Sequence, residues 1–139
     1  MVRDLILRKG FVSALSTLIF SFIMILPELP AIISTFDLGL IDFVRGILFY
    51  CIFAGGIIFT YGNLVSVLLE TMFFKNLSNR KKSHYYLYIL LHGIGGVLFG
   101  LLIGNGSAAL VVGGFAAILY GLLDVWTILK LKKEDIASY

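Results

Sequence analysis

The sequence predicts an all-α fold, an integral membrane four-helix bundle with both termini in the cytoplasm. Of the 139 residues, 60% are hydrophobic and 14% are charged, with a mean hydropathy of +1.02. A soluble domain of this size needs a more polar surface. The charged residues are also grouped. The apolar runs between them are about 20 residues long, enough to cross a hydrocarbon core of roughly 30 Å.

We predict a single domain, residues 1–139, with spans at 11–33, 43–74, 85–103 and 108–129. The first span follows a basic flank that contains Arg8 and Lys9. Its apolar run is long and lacks a small-residue cleavage site, which indicates an uncleaved span rather than a signal peptide. Pro27 and Pro30 predict a kink or a stop near its far end.

The other three spans are bounded by different signals. The second is over-long for one crossing and is expected to tilt. Tyr85, Tyr86 and Tyr88 open the third span as an interfacial aromatic belt. Residues 104–107 (GNGS) predict a tight turn before the fourth span, because glycine adopts positive φ without strain.

The distribution of basic residues predicts the orientation. Every Lys and Arg except Arg45 lies in the N-terminal segment, in the loop 75–84 or in the tail 130–139. With four spans, these three segments fall on the same side of the membrane. Because short cytoplasmic segments carry the excess of Lys and Arg, both termini are predicted to be cytoplasmic.

Small residues recur at four-residue spacing in every span, which places them on one face of each helix. Lipid tails are as apolar as leucine, so membrane helices associate through close backbone approach and interhelical hydrogen bonds. We therefore interpret these faces as packing faces. In the first span the series is Ser13, Thr17 and Ser21. The packing positions predicted in the other spans are Gly62, Ser66, Gly96, Gly100, Gly104, Gly113, Ala117 and Gly121.

Steps of three or four residues along three of these faces reach ionisable side chains. They are Glu70, His92 and Asp124, all predicted in the cytoplasmic leaflet, with Asn63 near them and deeper. A charge at membrane depth costs on the order of 3 kcal/mol, so it is usually paired or faces the bundle interior. Two carboxylates beside a histidine, which titrates near neutral pH, would suit a proton relay or a cation site.

A plainer interpretation of the same residues stays open. Glu70 and Asp124 would reach the interface and pair with Lys75 or Lys130, and His92 would be a neutral, hydrogen-bonded core residue. The sequence alone does not decide between this arrangement and a functional cluster.

Sequence signatures of enzymes are absent. There is no HExxH zinc motif, no Gly-x-Ser-x-Gly elbow and no phosphate-binding glycine-rich loop. We predict no enzymatic activity, no metal site and no cofactor. The lone Cys51 is interpreted as a small core side chain. The basic loop is the positive-inside signal, and a segment so short at the membrane predicts no nucleic-acid binding.

Three segments carry a resemblance: 61–66 (YGNLVS), 91–93 (LHG) with Gly96 and Gly100, and 119–124 (LYGLLD). They resemble segments of uncharacterised small four-span membrane proteins of Bacillus-type bacteria, over spans two to four. This resemblance implies a bacterial plasma membrane and implies no activity. Small multidrug transporters share the size and span count, but the mid-membrane glutamate typical of their first span is missing here.

The functional prediction is a non-enzymatic interaction, regulatory, immunity or accessory subunit, because packing faces are plentiful and reactive groups are few. The expected partners are the lipid bilayer and either another membrane protein or further copies of this chain. The alternative is a small oligomeric transporter or ion pathway that uses Glu70, His92 and Asp124. Four spans rarely enclose a solute path alone, so the alternative requires at least a dimer.

Overall fold

The computed structural model describes residues 2–34, 39–72, 81–103 and 106–137, and all of these except Lys81 and Gly106 are helical. No strand occurs in the described residues. Within them, four helices are long and apolar enough to cross a membrane: Leu5–Glu28, Gly39–Met72, Lys82–Ile103 and Ala109–Leu131. The predictions of an all-α class and of four such helices are confirmed.

The first helical unit is interrupted by its prolines. Helix α1 spans Val2–Ile25, a 3₁₀ turn follows at Leu26–Glu28, and helix α2 spans Leu29–Ser34. Proline has no amide hydrogen, and its ring clashes with the carbonyl group four residues earlier in an α-helix. Pro27 therefore sits at the start of the 3₁₀ turn, and α1 ends just before that turn.

The second unit is a single long helix with a π-helical segment in its middle. Helix α3 spans Gly39–Ile57, the π segment Ile58–Gly62 follows, and helix α4 spans Asn63–Met72. At 1.5 Å per residue, its 34 residues are roughly 50 Å long, well above the thickness of a hydrocarbon core. The extra residue per turn in a π segment shifts the faces on either side of it. Asn63 begins the helix directly after this shift.

Helices α5 (Lys82–Ile103) and α6 (Ser107–Ala137) pack antiparallel along most of their lengths. Their backbones touch through small residues. A Cβ atom at Gly96 would overlap the carbonyl oxygen of Gly113, and one at Gly100 would overlap that of Ala109. Close approach of this kind is the geometry that glycine faces permit.

The predicted packing positions lie at helix contacts wherever they are described. Ala117 lies against Gly96, Gly62 lies against the Tyr120 ring, and Ser66 is fully buried. A Cβ atom at Gly121 would be 3.3 Å from the His92 Cβ, so the glycine makes room for that histidine. Gly104 lies outside the described residues.

The first span differs from its prediction. The sequence places Arg8 and Lys9 in a flank before a span at 11–33, whereas the apolar helix runs over Leu5–Glu28 and includes both. The physical reason is that both cations meet carboxylates inside the bundle, so they need not remain outside it. The sequence predicts the other three spans at 43–74, 85–103 and 108–129. Four of their six ends lie two to four residues from the predicted positions, and the other two lie within one residue.

Two apolar clusters form the core. The first contains Tyr85, Tyr88, Val125 and Ile128, which join α5 to α6. The second contains Val12, Phe20, Ile58 and Tyr120, which join α1, the π segment and α6. Asp124 is adjacent in sequence to Val125 and one turn from Tyr120, so its carboxylate lies where the two clusters meet.

Candidate functional site

The candidate site is a group of polar side chains at one end of the bundle. The four long helical units run alternately in opposite directions. This end of the bundle therefore contains the start of α1, the end of α4, the start of α5 and the later part of α6. They contribute Arg8 and Lys9, Ser66 and Glu70, Tyr88, and Asp124 respectively. We call these six residues the charge network.

Lys9 is the cation at the centre of the charge network. Its side chain is 4% exposed, and its Nζ donates to Asp124 Oδ2, to Ser66 Oγ and to the Tyr88 hydroxyl, the last at 3.3 Å. Nζ also lies 2.9 Å from Glu70 Oε2. An ammonium group carries three donors and no acceptor, so these oxygens are a sufficient set of partners for it.

Asp124 is the corresponding anion, and its side chain is fully buried. Its Oδ2 accepts from Lys9, from the Tyr88 hydroxyl and from Ser66 Oγ at 2.9 Å. Its Oδ1 lies 3.3 Å from Arg8 Nε. An ionised carboxylate only accepts hydrogen bonds, and here it is surrounded by donors from three other helices.

Arg8 and Glu70 complete the charge network toward its more exposed edge. Arg8 Nη2 donates to Glu70 Oε2, and the two side chains are 14% and 18% exposed. The formal charges of the network are therefore two positive and two negative, with a sum of zero. Since removing one partner of a buried pair leaves an uncompensated charge, each of the four depends on the others.

A second polar group lies farther along the bundle. The Oδ1 of Asn63 accepts from Ser13 Oγ at 2.9 Å and from the Tyr120 hydroxyl at 2.7 Å. Its Nδ2 donates to the carbonyl oxygen of Phe59 at 2.8 Å. Asn63 thus ties α1 and α6 to the long second helix, and it does not join the charge network.

His92 is also separate from the two carboxylates. It is 1% exposed, its Nδ1 lies 3.0 Å from the Tyr88 carbonyl oxygen, and its ring stacks on Tyr120 with centroids 5.6 Å apart. Because a carbonyl oxygen accepts, Nδ1 is the donor. The buried Nε2 has no hydrogen-bond partner among the described residues. His92 therefore borders the Asn63 group, one turn beyond the charge network.

Hydroxyl groups continue the polar face of α1 away from the charge network. Ser16, Thr17 and Ser21 are 0%, 6% and 0% exposed, and their hydroxyl oxygens have no hydrogen-bond partner among the described residues. Together with Lys9 and Ser13 they form a polar strip on the buried side of α1.

The structure brings together two of the four residues predicted as a polar cluster. Glu70 and Asp124 meet through Lys9 and Arg8, whereas His92 and Asn63 belong to the neighbouring group. The carboxylates face α1 rather than Lys130, whose Nζ lies 5.6 Å from the Trp126 ring centroid. Lys75, the other partner considered, lies outside the described residues.

Sequence reasoning missed the two cations, although a signal for one of them was present. The series Ser13, Thr17 and Ser21 extends one step backward to Lys9, just as the series of α5 extends backward through His92 to Tyr88. In this chain the series of small residues leads to a buried lysine, since Lys9, Ser13, Thr17 and Ser21 are all buried.

The described residues hold no group of three or more His, Cys, Asp or Glu side chains that could bind a metal ion. Searches against protein-family models, curated proteins and solved structures find nothing that matches this chain.

Proposed function

We propose that this chain is a four-span integral protein of a bacterial plasma membrane, with both termini cytoplasmic, and that it acts as a non-enzymatic interaction subunit. Its role would be that of a regulator, an immunity factor or an accessory subunit. The observation that supports this proposal best is a contrast in burial. The charge network is largely buried and internally paired, whereas the helix Gly39–Met72 is largely uncovered by the rest of the chain.

The charged side chains of the polar interior are buried or partly buried and paired with one another. Asp124 and His92 are 0% and 1% exposed, and the charges of Arg8, Lys9, Glu70 and Asp124 compensate one another. A carboxylate held by two cations is a poor acceptor for a transported ion. This arrangement favours a network that fixes α1 against α4 and α6.

The second helix, in contrast, is poorly covered by the rest of the chain. Only 11% of the apolar stretch in Gly39–Met72 is buried, whereas 39% of the apolar stretch in Leu5–Glu28 is buried. Its exposed face carries the Phe49 and Phe53 rings, which are tilted by 41° with centroids 4.6 Å apart, and Ile52, which is 70% exposed. A helix that its own chain leaves uncovered has the most surface available for packing against another membrane protein.

The orientation rests on the distribution of basic residues, and the position of the charge network is compatible with it. The network lies at the end of the bundle where α1 and α5 begin and where α4 ends. Cations cost least close to the membrane surface, where long side chains reach the interface. Its position therefore agrees with the cytoplasmic placement of both termini that the positive-inside rule predicts.

A photo-crosslinking amino acid at Ile52 tests the proposed partner face in living cells. We expect a covalent adduct of one discrete additional mass at Ile52. The matched control is Leu102 on α5, which is 84% exposed but belongs to a different helix. Leu102 should give only lipid adducts. Purification of a solitary chain with no protein adduct at either position would contradict the proposal.

Transport is the second candidate. The observation that favours it is that the hydroxyls of Ser16, Thr17 and Ser21 have no hydrogen-bond partner in the part of the chain that the structure describes. Buried polar atoms without protein partners are usually hydrogen-bonded to water. A file of water along α1 would link the Asn63 group to the far end of the bundle. Proton flux into reconstituted vesicles that disappears in His92→Ala would favour this candidate over the interaction subunit.

A further inference from the structure

A groove between α1 and α6 lies beside the charge network and shares only Arg8 with it. Its volume is about 370 Å³. Leu7 and Phe11 from α1 and Leu131 from α6 supply apolar walls, and these side chains are 62%, 54% and 47% exposed. A groove of this size fits part of a lipid-like molecule.

Two cations border the same groove. Arg8 lines it with a side chain that is 14% exposed, while its Nε and Nη2 face the carboxylates of the charge network. Lys130 lines it from α6 and is exposed, with Nζ 5.6 Å from the Trp126 ring centroid. Among the side chains that the structure describes, none that lines the groove is a carboxylate. The polar edge therefore consists of Lys130, the paired Arg8 and the uncharged Thr127. Apolar walls with such an edge are complementary to an anionic amphiphile.

The position of the groove agrees with this chemistry. It lies at the end of the bundle that carries the charge network, and its Trp126 is half exposed. Tryptophan prefers the level of the lipid headgroups, and basic pockets between membrane helices on the cytoplasmic side bind anionic headgroups.

We propose that this groove binds one anionic phospholipid of the inner leaflet. An acyl chain lies against Phe11 and Leu131, and Lys130 is the main partner of the phosphate. Arg8 adds positive potential while it remains paired to the charge network. This inference rests on the proposed membrane insertion and orientation, and it adds a ligand that the interaction function does not require.

The protein contains its own reporter, because Trp126 is the one tryptophan of the chain and lines the groove. The full chain is reconstituted in vesicles of phosphatidylcholine with a minor fraction of phosphatidylglycerol. Bromine atoms on the acyl chains quench tryptophan fluorescence on contact, so one lipid class is brominated at a time. We expect phosphatidylglycerol to be preferred at Trp126 by about fivefold in apparent affinity, the value of one lysine near an anionic headgroup.

Variants separate a local site from general attraction to the surface. Lys130→Gln should reduce the preference to near unity, and Lys130→Arg should restore it. Lys82→Gln, which removes an exposed lysine outside the groove, should keep the preference of the unmodified chain. Excess inorganic phosphate should not change it, because a free anion gains nothing from the apolar walls.

Three results would overturn the lipid site while leaving membrane insertion intact. They are equal quenching by the two lipid classes, an equal loss of preference in Lys130→Gln and Lys82→Gln, and loss of preference in inorganic phosphate. If neither brominated lipid quenches Trp126 and the protein does not float with the vesicles, the site and the proposed insertion are both overturned.

Discussion

Replacing Asp124 with asparagine is expected to lower the free energy of unfolding by about 3 kcal/mol or more, the cost of breaking a buried ion pair. Asparagine preserves the volume of the side chain but changes the sum of formal charges in the network from zero to plus one. Lys9, with a side chain 4% exposed, would then share one carboxylate with Arg8. The measurement is a denaturant titration of the purified protein in detergent micelles.

A double-mutant cycle shows whether the cost arises from the uncompensated charge. Lys9→Met alone leaves the network at minus one and should be as harmful as Asp124→Asn. The double variant returns the sum to zero, so its loss should be smaller than the sum of the single losses by about 0.5–3 kcal/mol, the usual range for contacting residues.

A surface ion pair in the same chain is the matched control. Asp42 lies 3.7 Å from Arg45, with side chains 48% and 77% exposed. Since exposed pairs contribute about 0–1 kcal/mol, Asp42→Asn should leave the protein nearly as stable as before. Additive losses in the cycle, or equal losses at Asp42 and Asp124, would show that the charge network does not hold α1 in place.

The second large effect is expected at the contact between α5 and α6. Gly100→Leu should lower the free energy of unfolding by about 1–3 kcal/mol, the range of overpacking substitutions. Even the first added carbon would overlap the backbone of Ala109. The helices would have to separate along the whole glycine face, since neither backbone can yield locally.

Gly56→Leu is the matched control for this prediction. Gly56 lies in helix α3, and an added Cβ atom would meet no atom within 4 Å apart from its own helix and neighbours. Because leucine forms helix better than glycine, this variant should be neutral or slightly more stable. Leu101→Ile, at a position 56% exposed on α5, should also change little. A neutral Gly100→Leu would contradict the observed packing of α5 on α6.

Local sequence patterns were sufficient to predict the helices and their contact faces. Apolar runs of spanning length predict helices directly, and the four-residue spacing of Gly96 and Gly100 predicts which side of α5 meets a neighbour. The same spacing places Glu70 and Asp124 on inward faces. These properties depend on residues a few positions apart, so the sequence contains them.

The partners of the carboxylates could not be obtained in this way. Lys9 and Asp124 are 115 positions apart, and their pairing depends on α1 packing against α6. A hydropathy window assigns Arg8 and Lys9 to a flank, because it has no access to the neutralising charges. The separation of His92 from Asp124 likewise follows from the fit of the His92 ring between Gly121 and Tyr120, which is a property of the packed bundle.

The proposed orientation is tested most directly by the accessibility of single cysteines in intact cells. The background is Cys51→Ser, which removes the one native thiol. An impermeant thiol reagent should label Asn105→Cys from outside, whereas Asn79→Cys and Ser138→Cys should react only after the cells are opened. Labelling of Asn79→Cys and Asn105→Cys from the same side would contradict four spans with both termini in the cytoplasm.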